Sequence, residues 1–461
     1  MRFGVNYTPS VGWFHSWLDF SPSDTARDLE AIASLGADHV RIFPLWPVVQ
    51  PNRTLIRASA LQDVATVVDI AGSFGLDVNV DALQGHLSSF DFVPAWLDSW
   101  HRRNMFTDPD VVASTAAYVR ALARAVADKP NLLGITIGNE VNQFAHAPHP
   151  APHDITAEQG HAWAAAMVAA ARDGLSADSA GSSGGSGLEA RLDPATSAPS
   201  GAGSRPRPLV TVAQYDAAWY DDAQPFGPEH AADHGDATVT HSWVFNGSAA
   251  LHGALGPGSV RHGEYLLQLA AAWNRDPARP NWLQEVGAPT NVIAPEDAPS
   301  FTEQTIRHVL GAQQVLGVTW WCSHDVARSL ADFPELEYDL GLFTNDGRVK
   351  PAGEAFAAVA RSSAAAATAA PPATALVLDD VLPDGSDRHG MRADCAPGGR
   401  FAAAWLAVAS AEPDGRGPQV VLRSRLGDTE MLAARGIDRC VDVPAGLDST
   451  TIRVAHPATT P

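Results

Sequence analysis

The sequence predicts an α/β chain: a (β/α)8 TIM barrel over residues 1–362, with a small all-β, sandwich-like domain at 375–461. Three observations predict it. Eight short apolar runs alternate with amphipathic stretches, which is the pattern of repeated βα units. Each run is rich in Val, Ile or Leu on both faces, as expected of parallel strands covered on either side. Beyond about residue 362 the pattern changes to strand-like runs separated by Pro, Gly and Asp. The chain length of 461 residues leaves room for both units, since a barrel commonly takes about 250 residues or more.

Taken in order, the strands are expected at Phe3–Tyr7, His39–Phe43, Asp77–Asp81, Leu132–Ile137, Leu209–Gln214, Thr238–Trp243, Trp282–Glu285 and Gly317–Trp321. Helix starts are legible between them. Ser21-Pro22-Ser23-Asp24 offers an N-cap, a proline at the first helical position and an acid in the first turn. Thr156–Gln159 and Ser300–Glu303 fit the capping-box pattern. Gly36 and Gly75 fall where helices should stop, just before the second and third strands. Asn6–Ser10, after the first strand, is not the Gly-rich loop of a nucleotide-binding sheet.

Two segments interrupt the pattern. Residues 174–208, dominated by Ser, Gly, Ala and Pro, read as a disordered insertion in an αβ loop, on the barrel face away from the chemistry. Residues 363–374 read as a linker. After it, Ala375–Leu378, Phe401–Val408 and Gln419–Leu422 are expected as strands of a β-sandwich. A structural domain packed on the barrel is the preferred reading of this unit, with a carbohydrate-binding module as the alternative.

Charge limits the partners. Lys and Arg number 31 against 52 Asp and Glu, a net charge of −21. Such a surface repels phosphate backbones and anionic lipids, which argues against nucleic-acid or membrane binding, while neutral sugars are indifferent to it. A cytoplasmic protein is expected, because no basic region followed by a long apolar run opens the chain and no stretch is apolar enough to span a bilayer. Cys322, Cys395 and Cys440 suit that compartment as reduced thiols; a Cys395–Cys440 bridge does not. The oligomeric state stays open, a homo-oligomer included.

A barrel presents its chemistry at the C-terminal ends of its strands. The fourth strand ends in Gly138-Asn139-Glu140 and the seventh in Gln284-Glu285. Two carboxyl groups facing one another across a bound substrate are what glycosidic hydrolysis requires. One protonates the departing oxygen, and the other attacks or activates water at the anomeric carbon.

This pattern resembles clan A of the glycoside hydrolases, and family 5 within it, over about residues 1–361. The resemblance implies a retaining enzyme, with Glu140 as acid/base and Glu285 as nucleophile. It further implies that Arg41 supports the nucleophile, His86 binds sugar, Asn139 donates to the 2-hydroxyl and His241 orients the catalytic pair. Trp321 would form the floor of the pocket and precede a cis peptide. One position departs: His241-Ser242-Trp243 stands where the family has His-x-Tyr. An indole N–H can donate but not accept, so Tyr215 at the end of the fifth strand is a candidate substitute.

Trp13, Trp17 and Trp46 follow the first two strands, and Trp13 in particular is a candidate for stacking on sugar. No cofactor or metal is called for. His146, His149 and His153 have ligand-like spacing, but Pro148, Pro150 and Pro152 deny them a rigid helix.

The opening Phe3–Ser10 with Gly12–Phe20 resembles a bacterial family 5 branch of exo-β-mannosidases. This implies release of terminal β-1,4-linked mannose from short oligosaccharides such as mannosyl-N-acetylglucosamine. The alternatives are a β-glucosidase, an endo-mannanase or cellulase, and a silent sugar-binding barrel.

Overall fold

The computed structural model describes residues 1–176, 207–363, 371–411 and 415–443. Eight parallel strands form its centre: β1 (Arg2–Asn6), β2 (His39–Ile42), β3 (Asp77–Asp81), β4 (Leu132–Ile137), β5 (Leu209–Val212), β6 (Thr238–Ser242), β7 (Asn281–Val286) and β8 (Val315–Trp320). The hydrogen-bonded order runs β5-β4-β3-β2-β1-β8-β7-β6, so β1 pairs with β8 and the sheet curls into a nearly closed barrel. At the remaining seam Asp236, just ahead of β6, donates its N–H to the Val210 carbonyl and accepts from the Val210 N–H. The eight expected barrel strands are all present, with ends shifted by at most two residues.

Around the barrel lie α1 (Pro22–Ser34), α2 (Ala58–Ser73), α3 (Pro109–Val126), α4 (Ala157–Ser176), α5 (Pro228–Asp233), α6 (His262–Trp273), α7 (Ala298–Val309) and α8 (Pro351–Ser363). Ser21 caps α1 by accepting from the Asp24 N–H, and Thr156 and Gln159 bond reciprocally at the start of α4. Ser300 and Glu303 form no such box: α7 begins two residues earlier, at Ala298, so Ser300 is already helical. Gly36 and Gly75 end α1 and α2 with φ of 85° and 76°, a backbone that a side chain would strain. None of the described helices is long and apolar enough to cross a membrane.

The C-terminal unit differs from its expectation. Its sheet is β9 (Thr374–Leu378), β10 (Gln419–Leu422) and β11 (Arg439–Asp442), in the order β10-β9-β11, and all its pairs are parallel. Parallel neighbours need crossovers, and α9 (Arg400–Ala411) and α10 (Thr429–Ala434) supply them. Residues 401–408, expected as a strand, therefore lie inside a helix. The reason is periodicity: Phe401, Ala404, Trp405 and Ala409 are buried at helical spacing. This small α/β layer shares one core with the barrel, where Phe401, Trp405 and Leu376 pack with Tyr265, Leu266 and Leu269 of α6. Arg425 donates to the Trp273 and Asn274 carbonyls, pinning the C-terminal end of α6. Most of the expected insertion (177–206) and of the expected linker (364–370) lie outside the described residues, and a domain division at 363–374 remains our proposal.

Candidate active site

Local irregularities aim the two glutamates. After β4, Gly138 (φ 74°) and Glu140 (φ 54°) both adopt left-handed backbone, and a short 3-10 turn (Val141–Ala145) follows. A non-glycine residue held there is strained, as residues at functional sites often are. On β7 the pairing slips against both neighbours around Gln284, so that His241 comes opposite Glu285. A bulge of this kind re-aims a side chain.

The glutamates, His241 and Arg41 form one buried cluster. His241 Nδ1 lies 2.8 Å from Glu140 Oε1 and 3.3 Å from Glu285 Oε2. One oxygen from each carboxyl group and the imidazole nitrogen all fall within 4.8 Å of one another. Arg41, fully buried, donates from Nη1 to Glu285 Oε1 (2.6 Å) and from Nη2 to Asn139 Oδ1 (2.8 Å). Its Nε and Nη2 also reach Asp81 Oδ2, at 3.1 and 2.5 Å, and its plane lies over Phe43. Such a fork suits a planar guanidinium and would not suit lysine. Asn139 donates one amide hydrogen to the His86 carbonyl, which leaves its second free for a ligand.

Burial raises both members of the pair, and their partners differ. Burial raises Glu140 to about 6, against the opposing pull of His86, Gln143 and Arg41. Burial also raises Glu285; His241 and Arg41 pull it back, Glu140 adds to the rise, and the net stays above the ordinary carboxylate value. Arg41 thus acts in the expected direction without outweighing desolvation. His241 is pushed down to about 4 by burial and is neutral at ordinary pH. A carboxyl group raised to about 6 beside one paired with a guanidinium is an arrangement that can serve an acid and a nucleophile.

A cavity of about 250 Å³ opens on this cluster, lined among others by His86, Asn139, Tyr215, Trp243, Trp321 and both glutamates. Seven of the ten expected residues line it, namely those five and the two glutamates, while Arg41 and His241 lie directly behind the glutamates. Trp321 stands edge-on to Trp243, with ring centroids 6.4 Å apart, and the Trp321–Cys322 peptide is cis. Trp243 also stacks on Phe245. Among the described residues, the side chains bonding Glu285 are Arg41 and His241, so neither Trp243 nor Tyr215 takes over the tyrosine's contact. The Tyr215 hydroxyl instead accepts from Asn246.

Trp13 is a correction. It is 2% exposed and absent from the cavity lining, because its ring is enclosed by Phe90, Phe92 and Phe333 at 4.7–5.7 Å. It ties the loops after β1, β3 and β8 together. His149 and His153 are engaged with the segment after β3, through Asp91 and the Met105 N–H.

Four residues were missed. Gln143 donates to Glu140 Oε2 at 2.7 Å. Asp216, buried beside Tyr215 and bonded by Asn246, is raised to about 8 by its burial. Ser88 and Glu337 meet at the cavity rim. Gln143 was within reach, three residues past Glu140 on a tight turn; the others carry no local signal.

No known family model and no curated protein sequence matches the chain. Its likeness is to solved structures. A GH5_18 protein of Streptomyces cattleya, crystallised as a Glu-to-Ala variant with Manβ1-4GlcNAc, is 50% identical with a TM-score of 0.86, over 96% of this chain and 98% of its own. The GH5_18 protein of Bifidobacterium longum subsp. longum, likewise a Glu-to-Ala variant with Manβ1-4GlcNAc, is 40% identical with a TM-score of 0.85, over 97% of each chain. The exo-β-1,4-mannosidase Op5Man5 of Opitutaceae bacterium strain TAV5 shares the fold at 24% identity and a TM-score of 0.67, over 92% of this chain and 69% of its own.

Proposed function

Since the chain belongs to glycoside hydrolase family 5, subfamily 18, and is thereby a glycosidase, we propose that it is a retaining exo-β-mannosidase acting on mannosyl-β-1,4-N-acetylglucosamine and similar short oligosaccharides. The observation that carries the mechanism is the close approach of Glu140 and Glu285, whose nearest ligand oxygens share the His241 nitrogen within 4.8 Å. Retention calls for carboxyl groups about 5–5.5 Å apart, whereas inversion needs about 6.5–9.5 Å to admit a water between them.

In this reading ionised Glu285, paired with Arg41, attacks the anomeric carbon as Glu140 protonates the departing oxygen. The covalent glycosyl-enzyme is then hydrolysed by water that Glu140 deprotonates. Neutral His241 donates its single Nδ1 proton to one carboxylate at a time, so it can follow the negative charge between them. Asn139 offers its free amide hydrogen to the 2-hydroxyl, and Trp321 supplies a flat apolar face for the ring.

The exo action draws on the loops. Strands β3, β2, β1 and β8 are neighbours, and the loops after β1, β3 and β8 are fused by Trp13, Phe90 and Phe333. That aromatic plug holds together the loops whose Ser88, Ser89, Pro334 and Leu336 line the cavity, which supports a pocket for a chain end. Small imported oligosaccharides would be met in the cytoplasm, a compartment that also suits three free cysteines.

Turnover of p-nitrophenyl β-mannoside is expected to exceed that of the β-glucoside by at least about 100-fold in kcat/KM, since a pocket built around one set of hydroxyls rejects the epimer strongly. Comparable rates would overturn the sugar preference. The pH dependence follows from the pair. Glu140 must hold its proton to act, so kcat/KM is present below its pKa of about 6 and is lost as pH rises through it. Glu285 must be ionised, so activity also falls at acid pH, from a point above the ordinary carboxylate value. A pH–rate profile should therefore show a narrow, mildly acidic optimum; activity unchanged up to pH of about 9 would contradict these roles.

A further inference from the structure

The loop after β3 forms a small hairpin, His86–Leu87 against Phe90–Asp91, closed by Ser88 and Ser89. Both serines have positive φ, 49° and 72°, in a two-residue turn of the kind that favours Asn-Gly. No side chain gains locally from that backbone, but the turn aims Ser88 at a residue 249 positions away. The Ser88 hydroxyl donates at 2.8 Å to Glu337 Oε2, from the 3-10 turn Glu335–Asp339 after β8.

Glu337 is unlike its neighbours. Glu335 and Asp339 both pair with Arg328, outside the cavity. Glu337 lines the same cavity as Glu140 and Glu285, and among the described residues it makes no ion pair and accepts from no side chain other than Ser88, although His86 lies near enough to act on its charge. One of its oxygens is thus pinned and the other is uncommitted. Burial raises this carboxyl group to about 7, with the charges of Glu285 and Glu140 adding to the rise and Ser88 and His86 opposing it. Leaving such a group unpaired is costly, and in either protonation state it can pair with a hydroxyl.

We infer that Glu337 is a specificity-determining substrate residue, whose uncommitted carboxyl oxygen takes a hydroxyl of the terminal sugar remote from the anomeric carbon. The anomeric end and the 2-hydroxyl are taken up by Glu140, Glu285 and Asn139 in the function proposed above, on which this inference rests. Ser88 and Glu337 line the cavity together, and Phe90 and Phe333, close to them in the chain, meet on Trp13, so Glu337 reaches the cavity from the loop side rather than from the strand ends that carry the catalytic pair. Ser88 is its positioning residue.

The test compares wild type, Glu337→Ala and Glu337→Gln on an aryl β-glycoside and on its 3-, 4- and 6-deoxy analogues. Glu337→Ala is expected to lower kcat/KM on the parent by about 10- to 100-fold, the scale of a hydrogen bond to an ionisable group. On the analogue lacking the contacted hydroxyl, the difference from wild type should shrink to about threefold or less. Glu337→Gln keeps an acceptor oxygen, so its loss on the parent is smaller but should vanish on the same analogue; it carries the comparison if the alanine variant does not fold. An equal loss on the parent and all three analogues, or no loss at all, overturns the inference. The ratios are read on whichever β-glycoside the wild type cleaves fastest, so a wrong mannose assignment would show in the wild-type rates and leave this test intact.

Discussion

Glu140→Ala should slow hydrolysis of Manβ1-4GlcNAc by about 10³- to 10⁴-fold, yet cost an aryl mannoside with an acidic phenol leaving group far less in the glycosylation step. The sugar leaving group is a poor one and needs Glu140's proton, whereas a nitrophenolate departs unaided. Glu285→Ala should behave differently, losing on the order of 10⁴-fold or more on both substrates, because no covalent intermediate can form without the attacking oxygen. Initial rates on the two substrates separate the roles. If the alanine at 140 depressed both equally in pre-steady-state glycosylation, its assignment as proton donor would fall.

The second large effect is expected at Arg41. Its guanidinium stands between two buried carboxyl groups, Asp81 and Glu285, and also supports Asn139. Burial already raises Asp81 to about 6 with the arginine in place. Arg41→Leu would strand both carboxyl groups in a dry interior. Breaking a buried pair in this way costs about 3–5 kcal/mol, a loss of melting temperature on the order of 10 °C in a barrel of this size. The variant should also move the acid limb of the pH profile upward, because Glu285 loses the charge that favours its ionised form. Arg41→Lys keeps the charge but cannot reach both carboxyl groups and Asn139 together, so it should recover part of the stability and little of the rate. Calorimetry and the pH–rate profile check both; a leucine variant melting with wild type and titrating like it would contradict this account.

Much of this was legible in the chain because it is local. Val, Ile and Leu on both faces of short runs mark buried parallel strands, and a glutamate just past such a run sits at the barrel mouth whatever the loops do. Arg41, Asn139, His241 and Trp321 were singled out by the resemblance to family 5, not by periodicity. The C-terminal unit was misread for a physical reason. The run Phe401–Val408 is apolar enough for a strand, and only burial at three- and four-residue spacing shows that α9 lays one face on the barrel. Trp13 was misplaced similarly, since an exposed-looking loop tryptophan is enclosed by phenylalanines from loops more than 70 residues away.

What the sequence by itself determined is the barrel, the strands that carry the two glutamates and the kind of bond such a pair can cleave, for these depend on periodicity and strand ends. The tertiary structure alone decided which loops meet beside the pocket. It brought Ser88 to Glu337 and the rings of three loops into one plug. Contacts between distant loops leave no period in the chain, because each is made by a side chain whose partner is set by how the whole barrel closes.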